Sequence, residues 1–543
     1  MRYIYRTLPL QLILIISLLL IGTGCTEEFF DKQPLDQASD GTFWKTAGDA
    51  ELALVGCYYT GAEWKGEDFW TPRSMLCLDL MAGLGSEKEL IPDHVTDGTL
   101  TSSYWVTNNY WNHSYEKIAT CNNFLDHIGD ISMDETQKAE MTAEVRTLRA
   151  YEYFNLSLYF GDIPLVKNLQ TIDEANSVSR TSKTEVWAFL EKELKESVLS
   201  LPPSRPDSES GRITSAAALG ILGRLQMLEE KWSAAAESYK TIINYDYYQI
   251  DPNYRELFLV ENELSKEFIL SSQYIEDTYG HVLLTYQLPE TWGGWHQFSP
   301  FNELVKEYEC IDGKTIYESP LYDPNNPYDN RDPRLDATVM INGRTVFRDK
   351  TFVSTPGSDS PDRKDKYPVW SGYCILKFLE DDPAHNQWSY GGNFSIIRYA
   401  EVLLGYLESK MESGAAIDQA LLDETINKVR GREAVQMPPV TTTDANELRK
   451  IIRRERTVEF AFEGLHYYDI LRWGIAADVL NHQFTGMKLT NDPANYTDYA
   501  VDDEGYFIMP QQNRKFKAGV NELWPIPQDE RDINSNLTQN SGY

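Results

Sequence analysis

Positive charge is scarce in this chain: 50 lysines and arginines stand against 83 aspartates and glutamates, a formal net charge of −33. A nucleic-acid binder needs a basic patch against phosphates, and no basic run offsets the deficit, so that class is set aside. The same charge disfavours adsorption to an anionic membrane surface. Cysteine is sparse too. Beside Cys25 there are Cys57, Cys77, Cys121, Cys310 and Cys374, with no C-x-x-C or Cys/His ligand spacing. Their odd number prevents full pairing, so most read as small buried hydrophobes, with room for one disulfide. Only eight histidines are scattered along the chain, which gives a multi-histidine metal site little support.

Catalytic signatures are missing as well. There is no H-E-x-x-H, G-x-S-x-G, Walker A or G-x-G-x-x-G sequence, and Asp312-Gly313-Lys314-Thr315 lacks the earlier glycine of a phosphate loop. Glu463-x-x-His466 occurs once, whereas di-iron bundles need two copies, so it reads as core or capping. No enzyme activity and no cofactor are expected. Acidic turns around Asp323 to Asp332 leave a structural calcium ion open.

Long apolar runs are confined to residues 8–21, interrupted by Pro9, Gln11 and Ser17 and too short for a comfortable membrane span. Arg2 and Arg6 precede the run, and Ile21-Gly22-Thr23-Gly24-Cys25 ends it. This is the pattern of an export signal over residues 1–24 with lipid attachment at Cys25, the alternative being an ordinary secretory signal.

Helical periodicity dominates the chain beyond Cys25. Helices are expected over residues 49–59, 110–128, 135–160, 182–201, 212–245 (as a pair), 396–411 and 417–432. Leu222-Gly223 followed by Ala235 and Tyr239 has tetratricopeptide spacing, in which the glycine lets one helix approach the next, and Leu404-Gly405 repeats the theme. Gln226 fills a position that is usually aromatic. Residues 449–473 carry Glu455, Glu459 and Glu463 on one helical face beside several arginines, with Gly464 as a C-terminal stop. Three aligned carboxylates with that many arginines read as a buried charge ladder locking two helices.

Residues 274–393 have another texture, rich in Gly, Pro, Asn, Asp, Trp and Tyr, and residues 60–109 are a smaller insertion of the same kind. Long loop-rich insertions in a helical scaffold are where function concentrates. Within the larger one, 288–297 places Trp292 and Trp295 around Gly293-Gly294, with His296 and Gln297 adjoining. Aromatic faces with amide and carboxylate neighbours suit the C–H patches and hydroxyls of sugars. The bland reading is a loop pinned to the scaffold by its tryptophans. Tyr104-Trp105 with Asn108 and Asn109 form a second candidate. Trp70 is added from a reserve that also holds Trp370, Tyr373, Trp388 and Tyr390, most of them read as structural.

The run Glu455-Arg456, Glu459, Glu463-Gly464, then Tyr468-Asp469 and Arg472-Trp473, resembles the late helical motif of SusD/RagB-type outer-membrane nutrient-binding lipoproteins, with His466 where an arginine is expected. Arg149-Ala150, Tyr159-Phe160-Gly161-Asp162-Ile163-Pro164, Asp332-Pro333-Arg334-Leu335, Arg398-Tyr399-Ala400-Glu401 and Trp524-Pro525-Ile526-Pro527 match in order, so the resemblance spans nearly the whole mature chain. It implies a mainly α, tetratricopeptide-like helical-repeat scaffold with a long loop-rich insertion forming the ligand face. The implied division is a signal (1–24), an N-terminal region (25–273), the ligand-binding insertion (274–393) and a C-terminal helical region (394–543). It further implies an outer-membrane, surface-facing lipoprotein that captures oligo- or polysaccharide for a SusC-like TonB-dependent transporter. Trp292, Trp295, Tyr104, Trp105, Asn108, Gln297 and Trp70 are the expected glycan contacts, the carry-over being regional. Two other classes compete: a periplasmic or surface repeat adaptor for peptides or proteins, and a surface glycosidase.

Overall fold

The computed structural model describes residues 43–59, 67–489, 498–512 and 514–543; the expected signal and Cys25 lie outside them. Ten helices frame it: α1 (Ala47–Tyr58), α2 (Pro72–Met81), α3 (Trp105–His127), α4 (Glu135–Phe160), α5 (Lys183–Val198), α6 (Ser215–Leu228), α7 (Trp232–Asn244), α8 (Tyr399–Glu412), α9 (Ala445–Glu459) and α10 (His466–Arg472). From α3 to α9 each packs on the next, the stacking of a helical-repeat scaffold. The fold is mainly helical as expected. Among the described residues no helix is long and apolar enough to cross a membrane.

Local chemistry sets the ends. Asp134, Ser182, Thr214 and Asp444 each accept a backbone N–H at a helix start. Gly161 stops α4 at φ +76°, and a Cβ there would come within 2.9 Å of Leu523. The two repeat glycines converge on one ring. A Cβ on Gly223 would meet the Tyr239 ring at 2.5 Å and one on Gly405 would meet it at 2.8 Å, so Tyr239 of α7 is clamped between α6 and α8. Gln226, in the usually aromatic position, is buried and accepts a 2.7 Å bond from the Ser238 hydroxyl.

Three expected elements differ. The helix expected from 110 begins at Trp105. Residues 396–398 are extended: Phe394–Arg398 forms a strand antiparallel to Phe268–Ser272, and α8 starts at Tyr399. The helix expected over 417–432 is two short ones, Gln419–Glu424 and Ile426–Arg430, broken at Thr425, whose ψ is −100°.

The charge ladder is present and wider than a helix pair. α9 ends at Glu459; Phe462 (φ +68°) and Gly464 (φ +81°) turn the chain, so Glu463 reaches the cluster from the turn and not from a shared helical face. Arg334 bonds Asp332, Glu455 and Glu459; Arg398 bonds Glu267, Glu459 and Glu463; Arg432 bonds Glu267 and Glu459; Arg430 bonds Glu309 and Glu455; Lys377 bonds Glu463. All are buried. Burial opposes ionisation of Glu459, but Arg432, Arg398 and Arg334 overcome it and hold its pKa below the ordinary carboxylate range. Arg334 and Lys377 belong to the mid-chain insertion, so the cluster ties that insertion to the scaffold.

Candidate functional site

The loop at 288–297 is shaped by its glycines and held by a carboxylate. Gly293 adopts φ +85°, and a Cβ on Gly294 would sit 2.1 Å from the Leu288 carbonyl oxygen. Asp362 accepts from the Glu290 N–H (2.8 Å), the Thr291 N–H (2.9 Å) and the Thr291 hydroxyl (2.6 Å), and pairs with His296 Nδ1 at 2.9 Å. Burial works against charge on His296, but Cys374 and the Asp362 carboxylate outweigh it and lift the pKa to about 10. The His296 ring stacks on Trp370 at 4.1 Å. A buried ion pair therefore pins this loop, and its two tryptophans, both half-buried, pack in different surroundings.

Trp292 packs edge-on against Phe347 at 5.5 Å as part of a second apolar cluster, its indole N–H sealed from solvent. Trp295 meets Tyr286 at 5.2 Å and Trp388 at 5.4 Å, both near perpendicular, and Trp388 is 50% exposed. The Trp388 segment is fastened by the His281–Tyr390 bridge and by the Thr285 hydroxyl on the Gln387 carbonyl at 2.6 Å.

A polar network runs from this aromatic wall toward α3. The Arg73 guanidinium lies 5.3 Å from the Tyr286 centroid and bonds Glu67 at 2.6 Å and Glu87 at 2.8 Å. Glu67 in turn accepts from the Asn109 amide at 3.4 Å, one turn into α3 from Trp105. Burial raises the pKa of Glu87 against the pull of Arg73. Gln297 is nearly enclosed, its amide 3.4 Å from Glu89.

At the start of α3, Trp105 is 45% exposed beside Tyr104, whose hydroxyl donates to the Ile91 carbonyl at 2.6 Å. Asn108 is half-buried, and its side-chain oxygen has no hydrogen-bond partner. Trp70 belongs elsewhere. It is buried, its indole donates to Glu152, and Lys117 covers its ring at 4.2 Å, so it packs the core and cannot present a platform. Trp370, Tyr373 and Tyr390 are buried, as structural residues would be. Sequence reasoning missed Tyr286, Arg73 and Glu67 and kept Trp388 only in reserve. The signal for Arg73 was its place beside Pro72 in the first turn of α2; nothing local marked Tyr286.

The acidic turn at 323–332 spends its carboxylates internally: Asp323 caps Asn325 and Asn326, Asp329 pairs with Arg344 and Asp332 with Arg334. Among the described residues, Glu261, Glu380 and His385 place ligand atoms within 4.8 Å of one another. Glu380 there already accepts from the Tyr390 hydroxyl and the Val260 N–H, which ties down the Trp388 segment. The five described cysteines are free and buried.

Known proteins share this architecture. A family model described as "SusD family" matches residues 264–543, and one described as "Starch-binding associating with outer membrane" matches 83–227. "SusD-like protein P2" of Formosa agariphila is 26% identical, covering 97% of this chain and 98% of that protein. "Starch-binding protein SusD" of Bacteroides thetaiotaomicron is 23% identical over 78% of this chain and 76% of its own length. The crystal structure of a SusD-like carbohydrate binding protein from Bacteroides fragilis superposes with a TM-score of 0.85 at 36% identity, covering 92% of this chain and 100% of that one. Matched by the family model over more than half its length, the chain belongs to the SusD family.

Proposed function

We propose that this protein is a cell-surface glycan-binding lipoprotein of the outer membrane. It captures oligo- or polysaccharide and hands it to a SusC-like TonB-dependent transporter, with lipid attachment at Cys25 and no covalent chemistry of its own. Residues 274–393 supply most of the ligand face between helical regions 25–273 and 394–543. The observation that carries this reading is the half-exposed Trp388 standing against Trp295 and Tyr286, with Arg73 joining that wall to the amides and carboxylates near Trp105.

Exposed indole faces hold sugar C–H patches, while the half-buried Asn108 and Asn109 at the start of α3 read hydroxyl orientation. Glu67 and Glu87 are both bonded to Arg73, which suits them as hydrogen-bond acceptors. The names of the Bacteroides fragilis and Bacteroides thetaiotaomicron relatives, carbohydrate binding and starch-binding, support a binder over a glycosidase.

The test is an array of plant, microbial and host glycans probed with wild type and a Trp295→Ala, Trp388→Ala double variant. Binding to one glycan class that the variant loses supports the reading. Silence across the array, or binding that the variant keeps, contradicts it.

A further inference from the structure

A second cleft, of ≈ 410 Å³, lies between the helix Asn302–Glu307, α9 and residues 466–484, and shares no lining residue with the aromatic wall. Its cations are unevenly used. Arg454 pairs with Glu307 and Glu309 at 3.4 and 3.2 Å, Lys306 with Glu504 at 3.4 Å, and Lys450 with Glu447 at 3.1 Å. Arg453 has no carboxylate within 4.0 Å among the described residues. Its guanidinium lies 5.2 Å from the Trp473 centroid, its Nε is sealed without a hydrogen-bond partner, and burial lowers its pKa. A guanidinium keeps its charge regardless, so Arg453, acted on by Glu408 and Glu412 only from beyond pairing distance, brings an unpaired cation to this cleft in a chain of net charge −33.

His466 is the second unspent group. It lines the cleft at 8% exposure, and its Nδ1 has no hydrogen-bond partner. Asp79 holds its backbone N–H at 2.8 Å, which fixes the ring's position. Burial lowers its pKa to about 4, so at neutral pH the imidazole is uncharged, and with Nδ1 sealed from solvent only Nε2 can serve the cleft. Native structures rarely leave such a group unsatisfied without a reason. Around these two, Tyr317 (74% exposed), Phe484 and Ile475 give the cleft apolar walls.

We propose that this cleft binds a small organic carboxylate. The planar carboxylate lies on the free edge of Arg453, His466 supplies a hydrogen bond, and a ring-sized body rests on Tyr317 and Ile475. A carboxylate fits better than a phosphate: one unpaired guanidinium matches one negative charge in a forked geometry, while a dianion would need a second free cation and the other three are paired. The cleft volume suits a ligand of one or two rings.

Calorimetric titration of the mature protein with benzoate, galacturonate and acetate, with benzamide and galactose as uncharged counterparts, tests this. At least one ring-bearing carboxylate is expected to bind with a Kd of about 1 mM or tighter, with its uncharged counterpart silent. Arg453→Gln should weaken binding at least about tenfold with an unchanged melting temperature, since Arg453 has no ion-pair partner to abandon. Arg453→Lys, which keeps the charge and loses the fork, should weaken it less. The Trp295→Ala, Trp388→Ala variant should bind the carboxylate as wild type does, which separates this site from the glycan face. No carboxylate bound, acetate bound as tightly as benzoate and galacturonate, or affinity unmoved by Arg453→Gln would overturn the proposal.

Discussion

At His281 both ring nitrogens are engaged: Nε2 sits 2.8 Å from the Gly392 carbonyl, and Nδ1 accepts from the Leu283 N–H at 3.3 Å. That pattern needs the neutral imidazole, and burial lowers the pKa from 6.5 to about 4. Above pH 6.5 the histidine is neutral folded or unfolded. As pH falls through 6.5 toward 4 the unfolded chain takes up a proton that the folded one refuses, and stability on the order of 3 kcal/mol is lost. Melting temperature should therefore fall over that interval, and His281→Gln should flatten the fall; an unchanged slope would refute the assignment. The residue also explains what the sequence hid. His281 and Tyr390 bridge across a long separation to bring Trp388 onto Trp295, and no local pattern in either segment announces that contact. Trp70 shows the reverse: as a loop tryptophan it looked available, but Glu152 and Lys117, distant in sequence, enclose it.

Helices were the legible elements, because burial periodicity is written within each one. α4, capped by Asp134 and stopped by Gly161, lies where its apolar pattern placed it. Elements depending on distant partners were less legible: Phe394, Ile396 and Ile397 are strand formers, but their apolar pattern continues past Arg398 into α8, and it is pairing with Phe268–Ser272 that sets the boundary at Tyr399. The glycines flanking Tyr239 permit a test of the repeat packing. Gly405→Ala pushes a methyl to 2.8 Å from that ring, and such overpacking typically costs about 1–3 kcal/mol. Pairing it with Tyr239→Ala should recover part of the loss in urea unfolding, since the clash is removed; strict additivity of the two costs would show that the ring is not clamped.

For the whole molecule, the buried charge cluster joins segments far apart in sequence, and Arg398 touches three of its carboxylates. Arg398→Leu leaves Glu267, Glu459 and Glu463 short of a partner in a dry interior, a loss of about 3–5 kcal/mol, read as a lower urea midpoint. The carboxylate–arginine alternation made the ladder readable; its extension into the insertion through Arg334 and Lys377 was not, because those residues meet it only in three dimensions. That cluster ties residues 274–393 to the scaffold through Arg334 and Lys377. The most direct measurement is calorimetric titration of the glycan class found on the array against wild type, Trp388→Ala and Trp292→Ala. Trp388→Ala is expected to lose at least about tenfold in affinity with an unchanged melting temperature, as loss of a stacking platform should. Trp292→Ala, by contrast, should lower the melting temperature and leave the folded protein's affinity near wild type. Full affinity in Trp388→Ala would contradict the placement of the ligand face.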